Sequence, residues 1–393
     1  MAAAVNAEGR AGALLASARR ELRFLRRNPA DLLLVTVFPL AMLAALAWLL
    51  SAAVIRELPI AYVDQDGGSL GRALARKLDA SPGLRVAAQP RDLAEAWSLV
   101  RSLQVYAVVY LPPNAARDLQ RQGSGTVFSY YNASYLTAGQ GASRDIAAAI
   151  GALNLDVLQE QVALRSGPAS LRPPPVTVQS AILFNSARSF EYFLLGLLFP
   201  AVLHLVACLA MAGALGREIR DGSHAGWLAS SPAPVFAVVG KLLPYFVLFV
   251  GYGALGTGYL IALHGGVGAA QLAMLLLAQL ALYAACAAIT LLLVGLTRDM
   301  GKALSFVGLY VGTAMAFSGA TFPVVDAPLF TRVWNTLLPL TAYVKLQAQQ
   351  LTMGAPATAS LPALGTLLLF VLVPALIGLR TYLAAADAAG RAP

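Results

Sequence analysis

Six long apolar runs punctuate the chain, at 32–54, 190–215, 235–263, 269–296, 303–320 and 361–379. Five of them meet or approach the roughly 20 residues that a helix needs to cross a hydrocarbon core of about 30 Å, and the run at 303–320 is short. All are continuous rather than alternating, the pattern of spanning helices and not of spanning strands. One run stands near the N-terminus and five follow a water-compatible stretch, so the pattern predicts one span, a folded domain over 56–185, and a five-span region over 190–379.

Within the polar stretch the period changes repeatedly. Leu58 to Val63 reads as a strand ending at Asp64, and Ser69 to Asp79 as a helix with Ser69 as its cap. A strand at 84–88 and a helix at 92–103 follow. Val105 to Leu111 is a β-branched and aromatic run that predicts a strand buried on both faces, stopped by Pro112 and Pro113. A short helix to Gln120, a strand at 126–131 and a long amphipathic helix at 135–164 complete the set, and the Pro-rich and Gly-containing 166–175 reads as the return linker. Strands alternating with helices predict a small α/β layer domain. The fold class expected is a polytopic α-helical membrane protein with six transmembrane helices and a small extracytoplasmic α/β domain.

Composition agrees, because 58% hydrophobic and 12% charged residues leave too little polar surface for a chain dissolved in water. The first apolar run exceeds the roughly 7–15 residues of a cleaved signal segment and follows an arginine-rich stretch, which reads as an uncleaved anchor. Basic residues in the short segments set the orientation. Arg19, Arg20, Arg23, Arg26 and Arg27 precede span one; Arg217 and Arg220 lie between spans two and three, with Lys241 near the start of span three on the same side; Arg298 and Lys302 lie between four and five; Arg380 and Arg391 follow span six. The other side carries Arg332 and Lys345 between spans five and six and neither residue type between three and four. Both termini, 1–31 and the tail 380–393, are therefore expected in the cytoplasm. The net charge of +9 is largely accounted for by these arginines, so nucleic acid is not expected as a partner.

Several chemistries find no residues to perform them. Neither Gly240-Lys241 nor Gly301-Lys302 has the glycine spacing or the following hydroxyl of a nucleotide-binding P-loop. His204, His224 and His264 fall on different segments without ligand spacing, so no metal site is expected from them. No catalytic residue is assigned and no cofactor is expected on this chain. His204 is expected to hydrogen-bond a neighbouring helix, and Glu191 to pair locally with Arg188. Asp31 and Glu191 sit at span ends and the interiors of spans three to six hold no acid, which disfavours an ion-coupled carrier.

The loop 216–234 is conspicuous: Gly216-Arg217-Glu218-Ile219-Arg220-Asp221-Gly222-Ser223-His224-Ala225-Gly226-Trp227-Leu228-Ala229-Ser230-Ser231-Pro232, with Gly240-Lys241 opening the next span. Here the chain resembles the membrane subunits of ABC-2-type exporters, whose first cytoplasmic loop carries an acidic pair, a Gly-Thr or Gly-Ser, a Leu and a Ser/Thr-Pro. Arg26-Arg27-Asn28-Pro29 with Pro39 resembles the family's approach to span one, and Tyr62-Val63-Asp64-Gln65-Asp66 its first ectodomain strand. Phe317 to Pro323, then Pro328, then Leu338 to Tyr343 resembles the segment before the last span. The departure is His224-Ala225-Gly226, where the family often has a further acid.

The resemblance implies a permease subunit of an exporter for a hydrophobic or amphipathic substrate, with ATP and Mg on separately encoded ABC ATPase subunits. A second permease copy or homologue, a periplasmic adaptor and membrane lipid are the other partners implied, and the bacterial inner membrane is the location. It also implies that the loop after span two docks on the ATPase through Arg217, Glu218, Asp221, Gly222 and Trp227, beside an amphipathic N-terminal segment along the membrane face. Leu14, Leu15, Ala18, Leu22 and Leu25 stand near helical spacing between Leu14 and Arg27, a pattern that lies flat on anionic lipid, and topology signalling by the arginines accounts for the stretch as well. A plainer reading makes Glu218 and Asp221 solvated loop charges. Segment 321–350 would form a re-entrant outer hairpin, with Ser318, Phe322, Trp334 and Tyr343 at an outer gate. An aromatic belt at the interface accounts for Trp334 and Tyr343 as well. The rival from another class is a membrane receptor with an external sensing domain, but the short loops hold no output domain.

Overall fold

The computed structural model describes residues 2–51, 57–122, 125–132, 136–165, 189–321, 324 and 326–390. The linker expected at 166–175, Arg188, Phe322 and Pro323 lie outside the described residues. The chain divides into two compact units, one of residues 1–53 with 182–393 and one of residues 54–181.

The larger unit is helical. Helix α1 (Ala2–Arg27) leads to α2 (Pro29–Ser51), and α7 (Phe190–Arg220), a short α8 (His224–Ala229), α9 (Pro234–His264), α10 (Ala269–Thr297), α11 (Met300–Gly312), α12 (Ala314–Phe317), α13 (Leu329–Thr336), α14 (Pro339–Gln347), a π-helical turn (Ala348–Thr352) and α15 (Ala357–Gly390) follow the second unit. Among the described residues, six stretches are long and apolar enough to cross a membrane: α2, α7, α9, α10, α11 with α12, and α15. Their ends carry local reasons. Ser189 caps α7 by accepting from the Tyr192 amide at 3.1 Å, and Asp299 caps α11 by accepting from the Lys302 amide at 2.7 Å. Pro234 opens α9 at its first turn, where a missing N–H costs nothing.

Two spans differ from the hydropathy windows. The fifth does not run on to Ala320: α11 stops at Gly312, a single turn of α12 follows, and Ser318 ends that turn by donating to the Met315 carbonyl at 2.8 Å. The sixth runs well past Leu379, because Tyr382 is fully buried and donates to the Leu215 carbonyl of α7 at 3.1 Å, so residues 380–390 continue the helix instead of forming a tail. Helix α10 is the most buried of the six, and α2 and α15 are the least. The core gathers around α10, with Leu275, Ala278, Leu282, Ala285, Cys286 and Val294 sealed from solvent.

The smaller unit is a four-stranded sheet in the order β2-β1-β3-β4, with β1 (Leu58–Asp64), β2 (Leu84–Ala88), β3 (Ala107–Leu111) and β4 (Phe128–Tyr131). Strand β1 lies parallel to β2 and β3, and β4 closes the edge antiparallel to β3. Helices α3 (Ser69–Asp79), α4 (Leu93–Arg101), α5 (Ala115–Gln122) and α6 (Leu136–Arg165) connect and cover it. Alternation sorts the strands onto two cores: Ile60, Ala107 and Val109 with Leu74, Leu78 and Ile146 on one face, Ala61, Val63 and Val108 with Ala96 on the other. Helix α4 begins one residue later than read, because Asp92 serves as its cap by accepting from the Glu95 amide. Ser69 is not a cap; it is the first helical residue, after Gly68.

Candidate functional site

Where α1, the end of α7, α8 and the start of α9 meet, two carboxylates and three cations converge. Glu21 on α1 and Glu218 on α7 are both nearly sealed from solvent, and Lys241 of α9, 2% exposed, lies between them. Its Nζ donates to Glu21 Oε2 at 2.5 Å and to Glu218 Oε1 at 2.7 Å. Arg217 Nη2 donates to Glu21 Oε1 at 2.5 Å, and the Tyr245 hydroxyl donates to the same oxygen at 2.7 Å. The second oxygen of Glu218 accepts from Arg20 at 2.9 Å and from the Ser223 hydroxyl at 2.5 Å. Every carboxylate oxygen is thus engaged at least once, the condition under which buried ions are tolerated.

Aromatic faces complete the cluster. The Trp227 ring of α8 lies under both Arg20, at 5.4 Å, and Lys241, at 5.3 Å, and Phe24 lies under Arg217 at 3.4 Å. Gly240 explains how α1 comes close enough. A Cβ there would lie 2.8 Å from Leu14 Cα, so a side chain at this position would push α1 off α9 and separate Glu21 from Lys241. The Gly240-Lys241 pair has a physical reason: the glycine admits the helix and the lysine receives its acid.

The residues singled out in the loop take different places. Arg217 and Glu218 belong to the buried cluster, and Trp227 packs on its cations. Asp221 is exposed and pairs with Arg220 at 2.8 Å; that hydrogen bond holds its carboxyl below the usual range. Gly222 takes φ +68, the left-handed conformation that turns the chain from α7 into α8. His224 packs on Tyr382 with the rings tilted and their centroids 4.2 Å apart, and burial pushes its pKa down, against the pull of Glu218. Glu21, Arg20, Ser223 and Tyr245 escaped the sequence reading as members of this site. The available signal was Glu21 itself, an acid set among arginines on the apolar-striped helix.

Of the gate candidates, Ser318, Trp334 and Tyr343 are among the described residues and take different partners. Trp334 donates to Thr313 Oγ1 at 3.1 Å, stacks on Phe330 and meets Tyr310 edge-on. Ser318 ends α12 nearby in sequence, and Asn335 donates to the Phe317 carbonyl at 2.6 Å. Tyr343 instead points into the core, where Gln279 of α10 joins the Gly253 carbonyl, Thr257 and the Tyr343 hydroxyl. Phe322 lies outside the described residues. Elsewhere, the Glu191 carboxylate accepts from the Tyr259 hydroxyl at 3.0 Å. Among the described residues His204 makes no hydrogen bond to a neighbouring helix; both ring nitrogens are buried without such a partner, with apolar side chains and two thiols around it.

A cavity of about 380 Å³ is lined mainly by α2, α7 and α11, with Phe24 of α1 and Tyr245 of α9 also in its wall; Phe38, Val206, Leu209, Ala210, Gly213 and Leu304 are among its apolar residues and Asp31, Arg217 and Arg220 among its polar ones. A second, of about 440 Å³, lies between α1, α2 and α9, lined almost wholly by apolar groups with Arg26 among them. A cleft of about 620 Å³ separates α8 from α15, lined by Ala225, Leu228, Ser231, Leu383 and Asp387 among others.

Comparison with curated proteins yields no match. The family described as ABC-2 family transporter protein matches residues 30–380, which takes in all six apolar helices and the α/β unit between the first two. Together with the multi-pass helical architecture, this match places the chain in the ABC-2 transporter family, as a membrane-spanning permease of an ABC transporter.

Proposed function

We propose that the chain is the pathway-forming subunit of an exporter for a hydrophobic or amphipathic substrate, driven by a separately encoded ATPase that holds ATP and Mg. The observation that carries this reading is the buried ionic cluster. It joins α1, α7 and α9 through Glu21, Arg217, Glu218 and Lys241, and Trp227 of α8 packs on the Arg20 and Lys241 cations, so a force on the short α8 reaches all four elements. Both termini and this cluster are read as cytoplasmic from the arginine distribution, and the α/β unit as extracytoplasmic, where a periplasmic adaptor would dock.

Within this reading the loop residues divide their labour. Glu218 and Trp227 are committed inside the chain and act as transmitters, whereas the exposed Asp221 and the cleft beside α8 face the ATPase. The apolar cavity lined by α2, α7 and α11 supports a pathway flanked by the second and fifth spans of two copies. Its lining is mostly apolar with Asp31, Arg217 and Arg220 among its residues, which suits an amphipathic substrate drawn from lipid.

The test is co-purification with the partner ATPase, comparing wild type, Asp221→Lys and Glu218→Gln. Asp221→Lys is expected to weaken association about tenfold, equivalent to about 1.4 kcal/mol. Glu218→Gln is expected to keep association and lower substrate-stimulated hydrolysis. Unchanged association and unchanged stimulation in both variants would overturn the coupling assignment.

A further inference from the structure

His204 and Cys208 stand one helical turn apart on α7, and Cys286 of α10 packs against them, with the three ligand atoms within 4.8 Å of one another. All three side chains are fully buried, and neither nitrogen of His204 has a hydrogen-bond partner. A buried imidazole left unpaired forfeits the free energy of hydrogen bonds it would make in water. An ionic or coordinate partner at this point would recover it.

We infer that His204, Cys208 and Cys286 form a binding site for a thiophilic divalent d10 cation of the Zn²⁺ class, which ties span two to span four. Two sulfurs and one imidazole are a soft donor set that disfavours Mg²⁺ and Ca²⁺. Charge selects among the remaining ions. A divalent cation with two thiolates and a neutral imidazole sums to zero, whereas a monovalent one leaves an uncompensated negative charge inside the helical core, where it is expensive. Binding breaks two S–H bonds, forms two metal–sulfur bonds and one metal–nitrogen bond, and releases two protons to water. The donors come from two helices, so the ion acts as a cross-brace between α7 and α10 at the most buried part of the bundle.

The chain has two cysteines, so any thiolate signal reports this pair and no other. The full-length protein is expressed with Cd²⁺ in the medium, so that the ion is present while the helices pack, and is purified in detergent under a phosphine reductant. One Cd²⁺ per chain and a sulfur-to-cadmium charge-transfer band are expected in the wild type, with loss of the band when Zn²⁺ replaces Cd²⁺. The band is lost in the Cys208→Ser/Cys286→Ser variant, and apparent affinity falls at least tenfold in His204→Leu. The wild-type measurement stands by itself if a variant fails to fold. Absence of bound Cd²⁺ in the wild type, a band of equal strength in the double serine variant, or a mass two hydrogens lower that shows a Cys208–Cys286 disulfide under the same reductant would each overturn the inference.

Discussion

Lys241 is the residue on which the ionic cluster turns. It is 2% exposed and bridges two carboxylates that have no water to fall back on. Removing it leaves Glu21 with Arg217 and Tyr245, and Glu218 with Arg20 and Ser223, so the loss is partly compensated on each side. Breaking a buried pair by deleting one partner costs about 3–5 kcal/mol, and this residual support places Lys241→Met at about 3 kcal/mol, the lower end. The expected result is a clear drop in the thermal unfolding midpoint of the purified protein. In Lys241→Met/Glu218→Gln the second substitution removes a charge that the first has stranded, so the double variant should lose less than the sum of the singles, by at least about 1 kcal/mol. Strict additivity would show that the two groups are not energetically coupled. Glu218 also illustrates why a role is hard to assign from a loop sequence: an acid between Arg217 and Arg220 looks solvated until the partner from a helix about two hundred positions earlier is seen.

At the scale of elements, the seating of α1 on α9 depends on one missing side chain. Gly240→Val would set atoms into the backbone of Leu14, and overpacking of this kind costs about 1–3 kcal/mol. The cost falls on the α1–α9 contact more than on the spans, so α1 should detach more often. Its arginines are then open to trypsin, and cleavage after Arg19, Arg20 or Arg23 should accelerate by about 5- to 100-fold where opening is fast relative to cutting. Cleavage at the wild-type rate would mean that α1 is not held through this approach. Much of the element plan was legible because its cause is local. Continuous apolar length marks the spans, and β-branched runs between turn residues mark β1 and β3. What escaped was set by distant contacts. The turn that ends span five and the extension of α15 past Leu379 depend on Ser318 and on Tyr382 reaching Leu215, neither of which hydropathy encodes. The cluster at Lys241 was half legible, through its glycine and its loop acids, and its N-terminal half was hidden among arginines that topology alone explained.

For the whole molecule, the question is which surface carries substrate, and the geometry narrows it. Helices α2 and α15 turn apolar residues outward, Leu33, Val37 and Leu40 on the first and Leu369, Leu372 and Leu376 on the second, which suits lipid or a second copy. The cavity lined by α2, α7 and α11 is distinct from these faces, because its polar residues Asp31, Arg217 and Arg220 adjoin the segment that holds the ionic cluster. On the proposed reading, substrate in the cavity and force at α8 would share one helix, α7, and Arg217 belongs to both the cavity lining and the ionic cluster. Gly213 lines the cavity and a Cβ there would meet nothing within 4 Å, so Gly213→Phe is expected to fill the void. If the cavity is part of the pathway, this variant should retain ATPase association and its thermal midpoint while losing substrate-stimulated hydrolysis. If stimulation survives the filling, the pathway lies elsewhere, and the largely apolar cavity between α1, α2 and α9 becomes the next position to fill. The loss of association together with stimulation would instead report a disturbed α7, a result that Gly213→Ala, too small to fill the cavity, separates from a block by restoring both.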